Sequence, residues 1–412
     1  MARYTVPVQP PIPPVRAAAL RFIFVTVALD MLAFGLALPV LPRLVEGFLA
    51  GDTVAAATVF GVFSFAFNLM QFLCAPVLGA LSDRFGRRPV ILLSNLGLGI
   101  DHVLLAMAPS LGWLLAARII AGLCAATVST AFAYIADVTP PEGRAKAMGL
   151  VGVAFGLGFV VGPAMGGLLG AMDPRLPFWV AAGLSGLNFL YGFFVLPESL
   201  PPERRAARFR PRQANPFGAF ALLRGDRVLL GLGAVAFLKH LSHVVLPVVF
   251  VLYAGWRYGW DAAMLGFTLA LVGICSAVVQ GLLVGPVVAR LGERRALILG
   301  LACGAAGFAG FGLAPSASWF WACLPLFALW DIAGPALQAL ATRRVAPDRQ
   351  GALQGAFGSL QGISGLIGPF IFAGSFAFAI GGGARLGLPG LPFLLAAAMV
   401  GGAALVAWRA AR

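Results

Sequence analysis

Charge is scarce in this chain. Only 11% of its 412 residues are charged, against about 25% in a soluble domain. Lysine occurs twice, at Lys146 and Lys239, and histidine three times, at His102, His240 and His243. So few charged groups cannot clothe a water-soluble surface. Cysteine is sparse as well: Cys74, Cys124, Cys275, Cys303 and Cys323 are odd in number, lie within apolar runs and show no metal-binding spacing. That excludes a disulfide framework and a metal cluster and leaves small buried apolar residues. Sustained polar/apolar alternation is missing too, which excludes a membrane β-barrel. No nucleophile or metal constellation suggests an enzyme. No cleavable signal is expected ahead of the first apolar run, and the Pro-rich stretch from Val6 to Pro14 is expected to be a disordered tail.

What the chain has in abundance is hydrocarbon: 60% of residues are hydrophobic. Runs of about 20 apolar residues, each long enough to cross a bilayer, recur along its length. The predicted fold is an all-α membrane protein with twelve transmembrane helices, at 18–41, 55–81, 89–108, 112–136, 146–170, 176–196, 228–252, 262–289, 296–314, 318–341, 352–378 and 389–408. A cytoplasmic tail over 1–17, a six-helix bundle over 18–197, a linker over 198–227 and a second bundle over 228–412 are expected. The linker is Arg- and Pro-rich and reads as solvated, with a short surface helix. The net charge of +14 follows from topology. Of the 29 Lys and Arg, only Arg43, Arg175, Arg257 and Arg385 fall outside, and Arg118 and Lys239 fall within helices, if both termini are cytoplasmic. This is the positive-inside pattern of an inner-membrane protein, so no nucleic acid partner is implied.

The densest charge lies in the short turn Gly79-Ala-Leu-Ser-Asp83-Arg84-Phe-Gly86-Arg87-Arg88-Pro89, between two apolar runs. Such a turn must sit at a membrane face, and its arginines place that face in the cytoplasm. The chain also repeats at an offset of 206, half its length. Gly79, Arg84, Gly86 and Arg88 correspond to Gly285, Arg290, Gly292 and Arg294; Gly162-Pro163 to Gly368-Pro369; and Pro141-Glu142 to Pro347-Asp348. In the second copy Asp83 has become Ala289 and Arg87 has become Glu293, so its charged loop reads as decayed. Gly79-x-x-x-Asp83-Arg84-x-Gly86-Arg87-Arg88 resembles the loop between helices 2 and 3 of major facilitator transporters. These are two parallel six-helix repeats with a substrate site near the midplane. The resemblance implies that Asp83 holds an inner gate by contacting the segment after Gly351, with Arg144 as a neighbour. The alternative is a plain topogenic turn.

The fifth predicted helix carries Gly152, Gly156, Gly158, Gly162, Pro163, Gly166 and Gly167. Glycines four apart give a smooth face along which another helix can approach closely, and Gly-Pro permits a kink. This stretch resembles the antiporter signature of drug/proton exchangers. Asp30 to Pro42, Leu114-x-x-x-Arg118-x-x-x-Gly122, Asp101, Asp137, Arg257-Tyr-Gly-Trp260 and Gly351-Ala-Leu-Gln-Gly355 extend the likeness to twelve-helix drug/proton antiporters of the tetracycline-resistance efflux type. Two places depart from that pattern. An acid expected in helix 9 is Gly304, and a histidine expected in helix 8 is Ser276.

Ionisable groups within a bilayer are costly and therefore functional candidates. At 1.5 Å per residue, Asp101 and Arg118 lie roughly 12 and 9 Å from the outer ends of their helices and could pair. The pair either tunes a proton site or only fixes packing. Asp30, Asp331 and His240 lie roughly 18–20 Å deep, near the midplane. Asp30 and Asp101, with Arg118 beside one of them, are the expected proton carriers. Lys239 and His243 share a helix face, and Lys239 either faces Asp331 or meets an anionic group on the substrate. With His240, these three are assigned to the substrate cavity. So are Gln71, Gln338 and Gln361, with Asn68 and Gln280 as further polar groups. His102 reads as a packing or hydrogen-bonding histidine.

The resemblance implies an exporter of drug-like organic compounds in exchange for protons, acting as a monomer without a cofactor. Its substrate would be a metal chelate if it is of the tetracycline kind. A proton-coupled uptake symporter of a small organic anion, or a transporter-like sensor without flux, are the alternatives.

Overall fold

The computed structural model describes residues 14–205, 222–223, 225–346 and 349–410, with side chains at all of these except 14–19, 141, 142, 145, 146 and 150. The Pro-rich tail to residue 13, the surface helix expected in the linker and the Pro347-Asp348 pair lie outside the described residues. Every described element is helical. The transmembrane helices are α1 (Pro14–Ala37), α2 (Thr53–Phe85), α3 (Arg87–Met107), α4 (Leu111–Val138), α5 (Pro141–Met172) and α6 (Leu176–Val195) in the first half. The second half comprises α7 (Arg227–Tyr258), α8 (262–291), α9 (293–313), α10 (Ala317–Thr342), α11 (Gln350–Ile380) and α12 (Leu391–Ala410).

Eleven continuous apolar runs are present among the described residues. The run Ala262–Leu313 has 52 residues and would reach about 78 Å as one helix, more than twice the roughly 30 Å hydrocarbon core. It is two crossings, α8 and α9, divided at Gly292, whose φ of 75° and ψ of 161° are non-helical. Gly86 divides α2 from α3 with φ 108° and ψ 161°. The same backbone corner thus recurs 206 residues apart. Both positions need a positive φ that a side chain opposes, which is why glycine stands in each copy of the turn.

Several boundaries differ from the sequence expectation. The turn between α2 and α3 shrinks to Gly86, because both helices run on into its charged residues. The first helix ends at Ala37, ahead of Pro39, and a short helix Leu41–Phe48 follows. Breaks fall at Ala125-Ala126 within α4 and at Val244 within α7. A 3-10 segment, Leu329–Ile332, interrupts α10 and carries Asp331. Side-chain caps start four elements: Asp52 accepts from Ala55 N–H, Asp226 from Val228, Asp261 from Met264 and Ser316 from Trp319.

Within the first half α1 packs on α5 and α6, α3 on α6, and α2 on α4; within the second, α7 packs on α11 and α12, and α9 on α12 and α10. The halves meet through α5 on α8 and α2 on α11. These are symmetry-related seams. The carbonyl of Pro163 in α5 faces Gly266, and that of Pro369 in α11 faces Gly61. Contact along the seams runs from the face opposite the Arg-rich turns inward to Gly362 with Phe72 and Gly273 with Phe159. Beyond those points Leu73, Val77, Leu282, Leu283 and Gln361 are exposed. The bundle is closed at the opposite face and splayed at the Arg-rich face.

Candidate functional site

The Arg-rich turn is a compact ion-pair network within the first half. Arg87 is buried; its guanidinium donates to Asp83 at 2.5 Å, to Ser82 Oγ at 2.7 Å and to Asp137 Oδ2 at 3.0 Å. Arg88 donates to the carbonyls of Gly192 and Phe193 at the end of α6. Glu198, just beyond α6, accepts from the backbone N–H groups of Arg87 (2.9 Å) and Arg88 (3.3 Å). A carboxylate at that helix start is favoured by the orphan N–H groups and the dipole. The gate partners expected for Asp83 are not engaged in this state. Its charge partner is Arg87, while Arg144 donates to the carbonyls of Thr139 and Ala136 in its own half. The reason is the splaying of the two halves at this face. Arg84 and Asp83 are exposed, and Gly79 has open space around it.

The glycines of α5 divide into two faces. A Cβ on Gly158 would meet Met31 of α1, one on Gly162 would fall 2.7 Å from Gly35 Cα, and one on Gly166 would strike Leu36. Gly167 and the carbonyl of Pro163 face the other way, against Ala262 and Gly266 of α8. The motif therefore locks α5 to α1 inside one half and seats it on α8 of the other. Gly152 and Gly156 meet nothing within 4 Å and lie outside this close packing.

Three ionisable groups converge in the first half. Asp101 of α3 is 1% exposed, and Arg118 of α4 donates from Nη2 to both its carboxylate oxygens at 2.5 Å. Arg118 Cζ also lies 6.0 Å from the Phe67 ring of α2. His102 Nδ1 meets Ser185 Oγ at 3.2 Å, the hydrogen-bonding role expected of it. Asp30 of α1 is buried, and Thr127 faces it from the start of the second segment of α4. The break at Ala125-Ala126 positions Thr127 there. Both carboxylates are buried, so each depends on its immediate partners for its charge.

In the second half, Lys239 and His243 share the face of α7 that meets Trp330. The Lys239 ammonium lies 5.0 Å from the indole centroid and the His243 ring 5.6 Å from it. Asp331 faces Ser276 and Gln280 of α8, with Gln280 Nε2 at 3.5 Å from its Oδ2. His240 is half-buried beside them. Gly304, where the resemblance implied an acid, packs on Trp330, whose Cδ1 would lie 2.7 Å from a Cβ there. The indole fills the space an acidic side chain would need. Gln338 donates to Thr342 of its own helix at 3.3 Å, Gln361 is exposed and Gln71 half-buried. Asn68 packs against Gly365 in the α2–α11 seam.

Two groups escaped the sequence reading. Arg43, between α1 and α2, crosses to the second half and donates to the Trp260 carbonyl at 2.5 Å, with its guanidinium against Gly255. It also pairs with Glu46 at 2.7 Å, and Thr53 Oγ1 donates to that same carboxylate. This clasp closes the opposite face. The signal was its exception to the positive-inside pattern. Glu198, the other missed group, was hidden by its place at the head of a linker.

The Major Facilitator Superfamily model matches residues 23–369. The chain is 43% identical over 362 residues to the class C tetracycline resistance protein of Escherichia coli, covering 87% of this chain and 90% of that protein. It is 37% identical over 358 residues to the class G protein of Vibrio anguillarum, covering 86% and 89%. The crystal structure of the human organic anion transporter MFSD10 (TETRAN) superposes with a TM-score of 0.71 at 27% identity, covering 97% of this chain and all of that one. The nucleoside transporter NupG, at 13% identity, shares the fold with a TM-score of 0.76 over 96% of this chain and 99% of that one. A twelve-crossing bundle with repeated glycine corners, ionisable groups held inside the membrane and relatives matched across both halves define a multi-pass membrane transporter rather than an enzyme, and the chain belongs to the Major Facilitator Superfamily.

Proposed function

We propose that the protein exports amphipathic organic compounds of the tetracycline kind in exchange for protons, as a monomer in the bacterial inner membrane with both termini in the cytoplasm. The orientation is supported by the Arg-rich turns, which would lie inside under the positive-inside rule. The observation that carries the reading is the likeness to tetracycline resistance proteins over 87% of the chain. The buried Asp101–Arg118 pair and Asp30 agree with it. With the halves splayed at the Arg-rich face, substrate would enter from the cytoplasm. Opening of the Arg43 clasp would then expose the acids to outside protons. Protonation of Asp30 or Asp101 would release its partner and return the carrier inward as substrate leaves. No cofactor is needed, since the proton gradient drives the cycle; a tetracycline substrate would travel as its magnesium chelate.

The test is proton release from energised inside-out vesicles on addition of tetracycline with magnesium and a drug panel. Substrate-triggered release, lost in Asp30→Asn, is expected. No response from correctly oriented, folded protein would refute the exporter reading. A human relative is named an organic anion transporter, so the panel includes anions.

A further inference from the structure

The second half holds a cation that the scheme above leaves unused. Lys239 lies near the middle of α7, half-buried. Among the described residues no carboxylate oxygen comes within the 4.0 Å of an ion pair to its ammonium. Its neighbours are the face of Trp330 and the backbone of Gly334, where an added Cβ would find the ammonium 4.0 Å away. Asp331, next in sequence to Trp330, is already turned to Ser276 and Gln280 of α8. Trp330 cannot yield. It is 3% exposed, wedged against Phe308 and Phe327 at ring separations of 5.1 and 5.4 Å, and backed by Gly304. A rigid indole therefore aims the ammonium, and its ring face attracts the charge without neutralising it. His243 lies against the same indole and is exposed; His240 is the remaining ionisable neighbour.

A cation held unpaired inside a bilayer is costly unless it has a ligand to meet. We infer that Lys239 anchors an acidic group of the substrate, so that the compounds carried include amphipathic organic anions such as carboxylates, sulfonates and enolates, with Asp331 as the internal anion that competes for the same ammonium. This deepens the transport reading and rests on it.

The test uses two dyes on one xanthene scaffold, anionic fluorescein and cationic rhodamine 123, in energised inside-out vesicles of the full chain. Wild-type vesicles are expected to accumulate fluorescein. Lys239→Gln is expected to lower that accumulation by about tenfold or more, the loss of one charge-assisted contact, and to spare any rhodamine 123 flux. Lys239→Arg, which keeps the charge, is expected to retain most of it. Asp331→Asn is expected to lower the half-saturating fluorescein concentration, because the competitor is gone. A purely structural Lys239–Asp331 pair would instead weaken fluorescein transport in both variants, and that parallel loss would overturn the inference. Equal handling of both dyes by Lys239→Gln would do the same. Should Lys239→Gln fail to fold, Asp331→Asn decides: a lowered half-saturating fluorescein concentration supports the anchor, and weakened fluorescein transport overturns it. Tetracycline-driven proton release is read in the same vesicles. If it persists while wild type ignores fluorescein, the anion site is refuted and the efflux reading stands. If it is absent while Lys239-dependent fluorescein uptake is present, the anion site stands and tetracycline is not the substrate.

Discussion

The two glycine corners, Gly86 and Gly292, share a backbone shape but not a chemistry. Beneath the first, Arg87 pairs with Asp137; beneath the second, Glu293 pairs with Arg343 at 2.7 Å. Residues 293 and 343 stand 206 positions after 87 and 137, so the ion pair is conserved between halves with its charges reversed. The second copy has not decayed in this respect, contrary to the sequence expectation. Arg88 and Arg294 likewise each donate to a carbonyl of the last helix of their half. What lacks a counterpart is Asp83, replaced by Ala289, and the Glu198 carboxylate on the turn's N–H groups. The lesson is a division of labour. Features present in both halves, in either polarity, build the corner, and features present in one half are candidates for gating and coupling.

The sharpest way to break this comparison is in the membrane-buried pair that exists only in the first half. Arg118→Ala would leave the Asp101 carboxylate uncompensated, lowering stability by about 3–5 kcal/mol and abolishing flux. Thermal unfolding in detergent and vesicle transport read the two effects. Near wild-type flux in that variant would remove the pair from the coupling mechanism.

Next come the reversed pairs. Arg87→Ala, at a site where the side chain is 11% exposed, is expected to cost about 3–5 kcal/mol. Glu293→Ala is expected to cost about 0–1 kcal/mol, because Arg343 is 75% exposed and surface pairs contribute little. The double exchange Arg87→Glu with Asp137→Arg copies the second half's polarity. It should regain most of the stability while transport stays low, since Asp83 then faces a like charge. Equal losses in the two single variants would refute the asymmetry.

The smallest effect separates the glycines themselves. Alanine at either corner is opposed by the positive φ with extended ψ, a region essentially confined to glycine, at about 1–3 kcal/mol. Gly86→Ala should be the worse, because its Cβ would lie 2.7 Å from the Glu198 carboxyl carbon, whereas Gly292 has nothing within 4 Å. Denaturation midpoints of the two variants, compared side by side, would show the difference.

Much of this is legible in the sequence. The crossings, the turn and the repeat offset follow from where charge and glycine interrupt hydrocarbon. The similar depth of Asp101 and Arg118 from one face made their pairing possible, and the packing of α3 on α4 brought them together. Other contacts were not legible. Arg43 reaches Trp260 across 217 positions, and only the closure of that face brings them together. The exchange of Asp137 for Arg343 was readable at the known offset, but it acquires meaning only once Arg87 is seen to touch Asp137.

The sequence by itself determined how many times the chain crosses the membrane, where it turns and that its halves are copies. Hydrocarbon excludes charge and unsatisfied backbone, so composition along the chain dictates these. Only the tertiary structure decided which ionisable groups meet. Helices apolar on nearly every side carry little amphipathic signal to fix their rotation. The choice of Arg87 as the partner of Asp83, of Trp330 as the platform for Lys239 and of Trp260 as the catch for Arg43 came from how the helices pack.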